Sequence, residues 1–525
     1  MKRNFAMLLV LGIVLIFAAC GKDGSVTSSG GTQPITQPTQ TTAPTEPTVP
    51  VPGHDQLLLY VRDADVCLLD CETDTSQVIY THDEAWTAAQ LCDTRNSASA
   101  VSDDGGVVYW LMGSGENPDL YCYAAGDEGK QVAANVMDFR ASADGQYCIF
   151  VNGDRQIWQY DRKEDTQTLI SAWCSNEFSM DTWFFAIGGC PDSYLYELEN
   201  FVYFSDGLAL YRIAFGGNRE KIANQTWGFD RNYIVSNDLL CYIEYIQEQP
   251  LGTVYLWRNG QSQACAEDAS YVVQLYPDGS FYYVQGGGVS DQAPVLCYFD
   301  GSQSAQLCEF TGRYDFCFST QIPGGMLFAY ETDQVYLVQG TTATQWKENY
   351  VNRMCAEDGE LWFSTQSGVY RWALSGADAP VLELKDCKIH YQDTVGNLIC
   401  CSWKDETYVN GLPVGEQSPS DSLFYRNDYQ VTFETGHTLV GFTPSGQGKQ
   451  PMVSYKNSYA FCVLTDGQLS PVDENTVTHF GMENGTVVYL KDMDKDSYCG
   501  TLYLYRQGKS VKLAEGVYGL IPCTK

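Results

Sequence analysis

The chain repeats one hairpin pattern along most of its length. A turn dipeptide, usually Asp-Gly or Asn-Gly, leads into an aliphatic and aromatic strand, and a loop then leads to a second strand rich in tyrosine or tryptophan. Asp-Gly and Asn-Gly supply the positive φ angles of tight hairpins, while β-branched and aromatic residues favour strands. The pattern therefore predicts an all-β fold whose hairpins pair 107–110 with 120–123, 147–150 with 157–160, 201–204 with 210–213, 240–243 with 254–257, 281–284 with 295–298, 325–328 with 335–337, 361–363 with 369–372, and 487–490 with 502–505.

The spacing of the copies indicates blades of four strands. Clear copies lie roughly 35 to 45 residues apart, the period of a propeller blade. Short apolar pieces such as 167–170 and 510–513 supply the further strands. We therefore predict a β-propeller with about ten or eleven candidate units, irregular between residues 390 and 475. Because single propellers usually have four to eight blades, either one large ring includes half-blades or two rings join near residues 310–320.

Two further structural expectations follow from the same reading. The last strand, near Val517 to Ile521, is expected to pair beside the first strand, Leu57 to Tyr60, because an open propeller would expose blade edges. One short helix is expected near His82 to Leu91.

A serine, aspartate and glycine turn recurs in several copies. The closest version runs from Ser142 to Phe150, and residues 102–110 and 277–284 match in part. These copies resemble the repeat of TolB-like and WD40-like propellers, and the arrangement resembles the propeller lipoproteins of Gram-positive gut anaerobes. The resemblance implies a fold for residues 55–525 and no particular function. Ser102 to Tyr109 also resembles one Asp-box of the sialidases, which implies hairpin structure rather than catalysis.

The first twenty residues have the parts of a secretory signal. A cationic start is followed by an apolar run from Phe5 to Ala19 and then by Cys20. Phe17 to Cys20 resembles the lipobox of bacterial lipoproteins, which implies cleavage before Cys20 and lipid attachment to its sulfur. Residues 1–20 are therefore expected to be a lipoprotein signal peptide, and the protein is expected on the outer face of the cell membrane. Residues 21–54, rich in Thr, Pro, Gly and Ser, are predicted to be a disordered tether.

The charge balance limits the partners. The chain has 31 basic and 65 acidic residues and a net charge of −34. This argues against a nucleic-acid partner, since neutralisation of phosphates drives that binding.

The cysteines are expected to be mostly reduced and buried. Many of them stand inside apolar strands, where free cysteine behaves as a small hydrophobe, and a chain of this size does not need a disulfide framework. Cys67 with Cys71, or Cys174 with Cys190, are local candidates for a bridge.

One loop has the start of a calcium-binding pattern. Asp492, Asp494 and Asp496 place carboxylates at positions one, three and five. Ser497 replaces the usual glycine and Tyr503 replaces the usual glutamate. A solvated hairpin tip is therefore the favoured interpretation, with a Ca²⁺ site as the alternative. The sequence suggests no other cofactor.

No catalytic motif is present in the sequence. The five histidines lack metal-ligand spacing, and no nucleophile elbow or phosphate-binding loop occurs. The favoured hypothesis is a binding or scaffold module for a protein, peptide or glycan. The alternative is a glycoside hydrolase or other hydrolase, whose acidic residues would converge with an arginine at the mouth of the propeller channel.

Overall fold

The computed structural model describes most of the chain from residue 56 onward. The described residues are 56–83, 99–113, 118–175, 194–207, 209–224, 226, 234–245, 251–287, 292–310, 317–322, 325–330, 334–346, 353–357, 360–365, 367–373, 380–392, 398–402, 407–409, 412–413, 431–434, 437–440, 459–465, 468–481, 486–494, 497 and 499–523. Their regular elements are 41 β-strands, as the all-β prediction requires. These residues contain no helix with the length and apolar character needed to cross a membrane. The predicted signal peptide and tether, and the predicted helix apart from His82 and Asp83, lie outside them.

The strands form antiparallel four-stranded blades, each running from an inner first strand to an outer fourth. The N-terminal part gives three strands of blade 1 and all of blades 2, 3 and 4. Blade 1 contains β1 (Leu57–Arg62), β2 (Asp65–Asp70) and β3 (Thr75–Thr81); blade 2 contains β4 (Ser99–Val101), β5 (Val107–Met112), β6 (Asp119–Ala124) and β7 (Lys130–Ala133); blade 3 contains β8 (Val136–Ala141), β9 (Tyr147–Asn152), β10 (Ile157–Asp161) and β11 (Thr166–Ser171); blade 4 contains β12 (Tyr196–Leu198), β13 (Phe201–Asp206), β14 (Ala209–Ala214) and β15 (Arg219–Ala223).

The middle of the chain gives blades 5 to 9. Blades 5 and 6 share one long strand and contain β16 (Ile234–Ser236), β17 (Leu239–Tyr245), β18 (Gly252–Arg258), β19 (Gln261–Leu275), β20 (Phe281–Gln285), β21 (Val295–Phe299) and β22 (Ser304–Glu309). Blade 7 contains β23 (Cys317–Ile322), β24 (Gly325–Tyr330), β25 (Gln334–Gln339) and β26 (Thr342–Trp346); blade 8 contains β27 (Arg353–Glu357), β28 (Glu360–Thr365), β29 (Gly368–Ala373) and β30 (Val381–Lys385); blade 9 contains β31 (Cys387–Gln392), β32 (Leu398–Ser402), β33 (Thr407–Val409) and β34 (Leu412–Pro413).

The C-terminal strands form blades 10 and 11 and complete blade 1. They are β35 (Val431–Glu434), β36 (His437–Val440), β37 (Tyr459–Thr465), β38 (Gln468–Gly481), β39 (Val487–Lys491), β40 (Gly500–Arg506) and β41 (Lys509–Pro522). Because β19, β38 and β41 each serve two blades, the 41 described strands make eleven blades of four. All eight predicted hairpins are confirmed, and each unit is a full blade rather than a half-blade.

Each shared strand bends at one residue with a positive φ angle. These residues are Asp268 in β19, Asn475 in β38 and Gly516 in β41. The register of the pairing shifts close to each of them, so the outer strand of one blade runs into the inner strand of the next without a loop. One bulge residue is therefore enough to carry the chain from one blade to the next at these three crossings.

The two ends of the described chain meet in blade 1. The second half of β41 is its inner strand and pairs antiparallel with β1, with Leu58 opposite Pro522 and Leu59 opposite Ile521. The predicted pairing of the last strand with the first is therefore confirmed.

Apolar side chains on alternate positions of each strand pack against opposite neighbouring blades. In β1, Leu57 and Leu59 pack in a cluster with Trp110 of blade 2, whereas Leu58 packs with Leu490 of blade 11. Strands that are buried on both faces need continuous apolar runs, which explains why the strands of these hairpins do not alternate with polar residues. The same face-to-face packing joins blades 2 and 3, blades 3 and 4, and blades 6 and 7. The fold is a β-propeller.

The serine and aspartate of the repeated turn stabilise the hairpin between the first two strands of a blade. The hydroxyl of Ser142 donates to Oδ1 of Asp144 at 2.6 Å, and this oxygen accepts the Gln146 N–H at 2.9 Å. The Tyr147 N–H donates to Oγ of Ser142 at 2.9 Å. The turn from Ser102 repeats these contacts, so the structural interpretation of the Asp-box-like motif is confirmed.

The thirteen cysteines whose side chains the structure describes stand outside any disulfide, as expected for apolar strands. Ten of these thirteen are buried and three are partly exposed. Cys67 and Cys71 are both reduced. The Cys174 thiol donates to the backbone carbonyls of Ser175 and Tyr194, and Cys190 lies outside the described residues.

Candidate ligand-binding site between blades 3 and 4

The order of strands in a blade defines two faces. Turns between the second and third strands, and the crossings from one blade to the next, lie at one end, here called the upper face. Turns between the first and second strands and between the third and fourth lie at the other end, the lower face. Loops at the ends of a rigid β-scaffold are where binding residues are most often found.

Arg155 lies on the upper face in the turn between β9 and β10. Its φ angle is 60°, in the left-handed region. Nine of the twelve described non-glycine residues with positive φ are Asp or Asn, which tolerate this conformation, and Arg155 is one of the three others. The turn thus places a long cationic side chain at a position that glycine or asparagine would occupy at lower cost.

The guanidinium of Arg155 lies between two aromatic rings. Its Cζ is 5.4 Å from the ring centroid of Trp173 and 6.0 Å from that of Tyr194. Trp173 belongs to the crossing that leaves blade 3, and Tyr194 lies two residues before the start of β12 of blade 4. Tyr194 is buried, whereas 47% of Trp173 is exposed to solvent. An arginine stacked on an exposed tryptophan forms a surface that combines a flat apolar ring with a positive charge.

Asp138 and Arg140 of β8 fix the chain where blade 4 begins. Oδ2 of Asp138 accepts the backbone N–H groups of Tyr194 at 2.9 Å and Leu195 at 3.1 Å. Oδ1 pairs with Nη1 of Arg140 at 2.6 Å, and Nη2 of Arg140 donates to the Leu195 carbonyl at 2.7 Å. Only 13% of the Asp138 side chain is exposed, so these contacts neutralise a nearly buried carboxylate.

Glu197 of β12 lies on the side of blade 4 that faces blade 3. It is opposite Val202, which packs in the cluster shared by the two blades. Burial raises the pKa of Glu197 to about 7, and the positive charge of Arg140 opposes this rise without cancelling it. The side chain therefore keeps its proton to a higher pH than an ordinary carboxyl group, and in the protonated form it can both donate and accept a hydrogen bond.

Two carboxylates and an arginine thus meet on inner strands, which is the arrangement that the hydrolase alternative requires. Both oxygens of Asp138 are engaged, however, by Arg140 and by two backbone N–H groups. A pair of catalytic carboxylates needs one group to act as acid and the other as base or nucleophile. The contacts of Asp138 give it a structural role at the start of blade 4, so this cluster does not offer two carboxylates free to act on a substrate.

A cavity of about 210 Å³ on the lower face, between blades 2 and 3, is lined partly by Asp127, Lys130 and Arg162. Its two cationic groups already have partners, because Lys130 pairs with Asp165 at 2.6 Å and Arg162 donates to the carbonyl of Gly145. We assign these charges to the packing of blades rather than to a ligand.

Of the residues predicted from sequence to form sites, Asp492 and Asp494 follow β39 of blade 11, away from blades 3 and 4. Cys20 and Asp496 are outside the described residues. Oδ1 of Asp494 accepts the N–H and hydroxyl of Ser497 at 2.8 and 2.9 Å. Asp492 accepts a hydrogen bond from Asn475 and pairs with Lys491. In the part of the chain that the structure describes, no three His, Cys, Asp or Glu side chains are grouped to hold a metal ion.

The sequence interpretation missed Arg155, Trp173 and Glu197. One signal was present for Arg155, which follows Asn152, Gly153 and Asp154 at the turn position where a left-handed residue is required. Nothing in the sequence marks Trp173 as exposed or Glu197 as facing another blade, because both facts depend on how the blades pack.

Comparisons with known proteins give only distant structural likenesses. No protein-family model and no curated protein matches the chain. Among solved structures, it is similar to the tricorn protease with 11% identity and a TM-score of 0.25, over 87% of this chain and 56% of that one. It is similar to Sqt1 of Saccharomyces cerevisiae with 10% identity and a TM-score of 0.30, and the match covers 62% of this chain and 98% of Sqt1. It is similar to PorZ of Porphyromonas gingivalis with 11% identity and a TM-score of 0.20, and the match covers 86% of this chain and 58% of PorZ. Likenesses at this level carry no argument about function.

Proposed function

We propose that this propeller is a binding or scaffold module whose upper face at blades 3 and 4 engages a protein, peptide or glycan ligand. The observation that carries the proposal is the exposed ring of Trp173, held beside the guanidinium of Arg155. Tryptophan and arginine supply a large share of the free energy in many binding sites, because they combine apolar area with directed polar contacts. We call Arg155, Trp173 and Tyr194 the stacked site.

The position of Trp173 distinguishes it from the other exposed apolar residues. Among the described residues, the remaining large apolar side chains with high exposure lie on outer strands; they are Val78, Leu169, Val381, Leu382 and Val511. Side chains on an outer strand cover a blade edge, whereas Trp173 lies in a crossing at the end of the scaffold. Asp138 restrains the neighbouring backbone of Tyr194, so the site is organised before a ligand arrives, which lowers the entropic cost of binding.

The test is an array of glycans and peptides probed with the full chain in detergent micelles. We expect Trp173→Ala to weaken binding of the ligands that the unaltered chain retains. Leu169→Ala is the matched control, because Leu169 is 45% exposed on β11 of the same blade. Unchanged binding by Trp173→Ala would contradict the proposal.

We further propose that the module is attached to the outer face of the cell membrane through lipid on Cys20, as in the propeller lipoproteins that the chain resembles. The apolar run before Cys20 and the Thr- and Pro-rich segment after it support this arrangement. Cys20→Ala should move the protein from the membrane fraction to the medium or leave its signal uncleaved. A mutant that partitions into detergent as before, with its signal cleaved, would contradict the anchor. The membrane is then one partner, and the net charge of −34 argues against nucleic acid as another.

Glu197 supports one alternative function, that of a surface glycoside hydrolase. A carboxyl group with a pKa of about 7 has the protonation state that a general acid needs near neutral pH. Chromogenic glycosides, esters and peptides test this directly. Turnover that Glu197→Gln abolishes would favour the hydrolase over the binding module, whereas we expect no turnover above background.

A further inference from the structure

We propose that the ligand of the stacked site is an acidic glycan, a sugar chain whose terminal ring carries a carboxylate. This inference rests on the proposed function, because it specifies the chemistry of the ligand that the same site binds. It begins from Arg155, whose charge is used differently from that of most described arginines.

Most arginines in the described part of the chain pair with carboxylates. Such pairs hold Arg62, Arg140, Arg212, Arg219, Arg371 and Arg506. Arg155, in contrast, contacts two aromatic rings and no carboxylate of a described residue. In a chain with 65 acidic residues, a guanidinium without such a partner is available for an anion from outside. Its planar fork of N–H donors matches a carboxylate in two parallel hydrogen bonds.

The backbone of Arg155 supports a role in binding. A left-handed conformation costs a residue with a β-carbon roughly 1 to 2 kcal/mol. Strained residues of this kind are most often kept where they serve a site. Glycine would relieve the strain, so an arginine at this position supports a use for its side chain in the site.

The geometry favours a single acidic sugar ring. The guanidinium centre is 5.4 Å from the centroid of the Trp173 ring, so an apolar contact and an anionic contact lie side by side. A pyranose ring with a carboxylate offers both on one compact unit, because its C–H groups can stack on indole while the acid meets the arginine. An acidic peptide carries its apolar and anionic groups on separate side chains. The net charge of −34 repels densely charged polymers, so we expect one acidic ring at the end of a largely neutral chain.

The experiment compares two probes that differ in one group. One is an oligosaccharide that ends in glucuronic acid, and the other is the same oligosaccharide with that carboxyl reduced, so that it ends in glucose. Binding to the full chain in detergent micelles is measured by titration calorimetry. We expect the acidic probe to bind about tenfold to a hundredfold more tightly, because a hydrogen bond between charged groups changes affinity by about this factor. Arg155→Gln should remove that preference and leave the neutral probe unchanged.

Two variants separate binding from folding. Arg155→Gly should lose the preference for the acidic probe and at the same time raise the unfolding midpoint, because glycine accepts the left-handed backbone. Arg162→Gln is the matched control, since Arg162 lies on the lower face of the same blade, and it should leave the preference intact.

The outcomes distinguish the inference from the function on which it rests. If both probes bind equally and Trp173→Ala weakens both, the binding function stands and the acidic ligand is wrong. If neither sugar binds and an acidic peptide does so through Arg155, the ligand class is wrong. If Trp173→Ala changes binding of no ligand, the proposed function fails as well.

Discussion

Replacement of Glu197 by glutamine should make the stability of the propeller less dependent on pH. The pKa of Glu197 rises from 4.5 to about 7 because the side chain is largely, though not fully, buried on the side of blade 4 that faces blade 3. Below pH 4.5 the carboxyl is protonated in both folded and unfolded chains and contributes nothing. Between pH 4.5 and 7 the folded chain keeps a proton that the unfolded chain releases, so stability falls as the pH rises. Above pH 7 Glu197 is ionised in both folded and unfolded chains, and the full loss of folding stability remains.

The size of this effect follows from the shift. At about 1.4 kcal/mol per pKa unit, ionised Glu197 costs the folded chain about 3 kcal/mol at pH 8. Glutamine resembles the protonated acid, so Glu197→Gln should match the unaltered chain at pH 4.5 and exceed it in stability by up to that amount at pH 8. Urea unfolding monitored by tryptophan fluorescence at several pH values measures the difference. Glu164→Gln is the control, because Glu164 is an exposed glutamate in the turn between β10 and β11 of the neighbouring blade 3. A difference between Glu197→Gln and the unaltered chain that stays constant with pH would refute the reasoning.

Three further expectations concern the fold. Leu58→Ala should lower the free energy of unfolding by about 2 to 5 kcal/mol, because the fully buried Leu58 packs in blade 1, where the two ends of the described chain pair. A variant with the unaltered urea midpoint would contradict that role for blade 1. Gly145→Ala should lower the thermal midpoint more than Gly207→Ala. Both glycines have a positive φ angle, but only at Gly145 would a new β-carbon lie 2.5 Å from a side-chain atom, that of Val107. Equal decreases in the thermal midpoint would count against this contact. Thiol titration without reductant should give few reactive groups in the native chain and many after denaturation, because ten of the thirteen cysteines whose side chains are described are buried. Mass spectrometry that finds most cysteines paired in disulfides would contradict this expectation.

The hairpins could be predicted from sequence because their determinants are local. Asp144 and Gly145 set the turn, and the aromatic strand that follows finds its partner a few residues later. The three shared strands were harder to predict because Asp268 and Asn475 look like ordinary loop residues, and only the pairing on both sides shows that the strand continues through them. Local chemistry thus specifies a blade better than it specifies the junction between blades.

The candidate site could not be predicted in the same way, because its residues meet across blades. Arg155 comes from a turn in blade 3, and Tyr194 comes from the segment that enters blade 4. Their contact depends on the angle at which consecutive blades pack, and sequence spacing does not report that angle. The exposure of Trp173 has the same origin, since other aromatic residues of equal size are buried in the core.

Tyr194 connects the surface of the site to the seam between the two blades. Its ring lies beside the guanidinium of Arg155, and its backbone N–H donates to Asp138. Asp138 is in turn paired with Arg140, the cation whose field acts on Glu197. The positive charge of Arg140 therefore acts on both carboxyl groups, because it pairs with Asp138 and opposes the rise in the pKa of Glu197. Since Asp138 also accepts the Tyr194 N–H, the residue that positions the stacked site is part of the packed seam between blades 3 and 4.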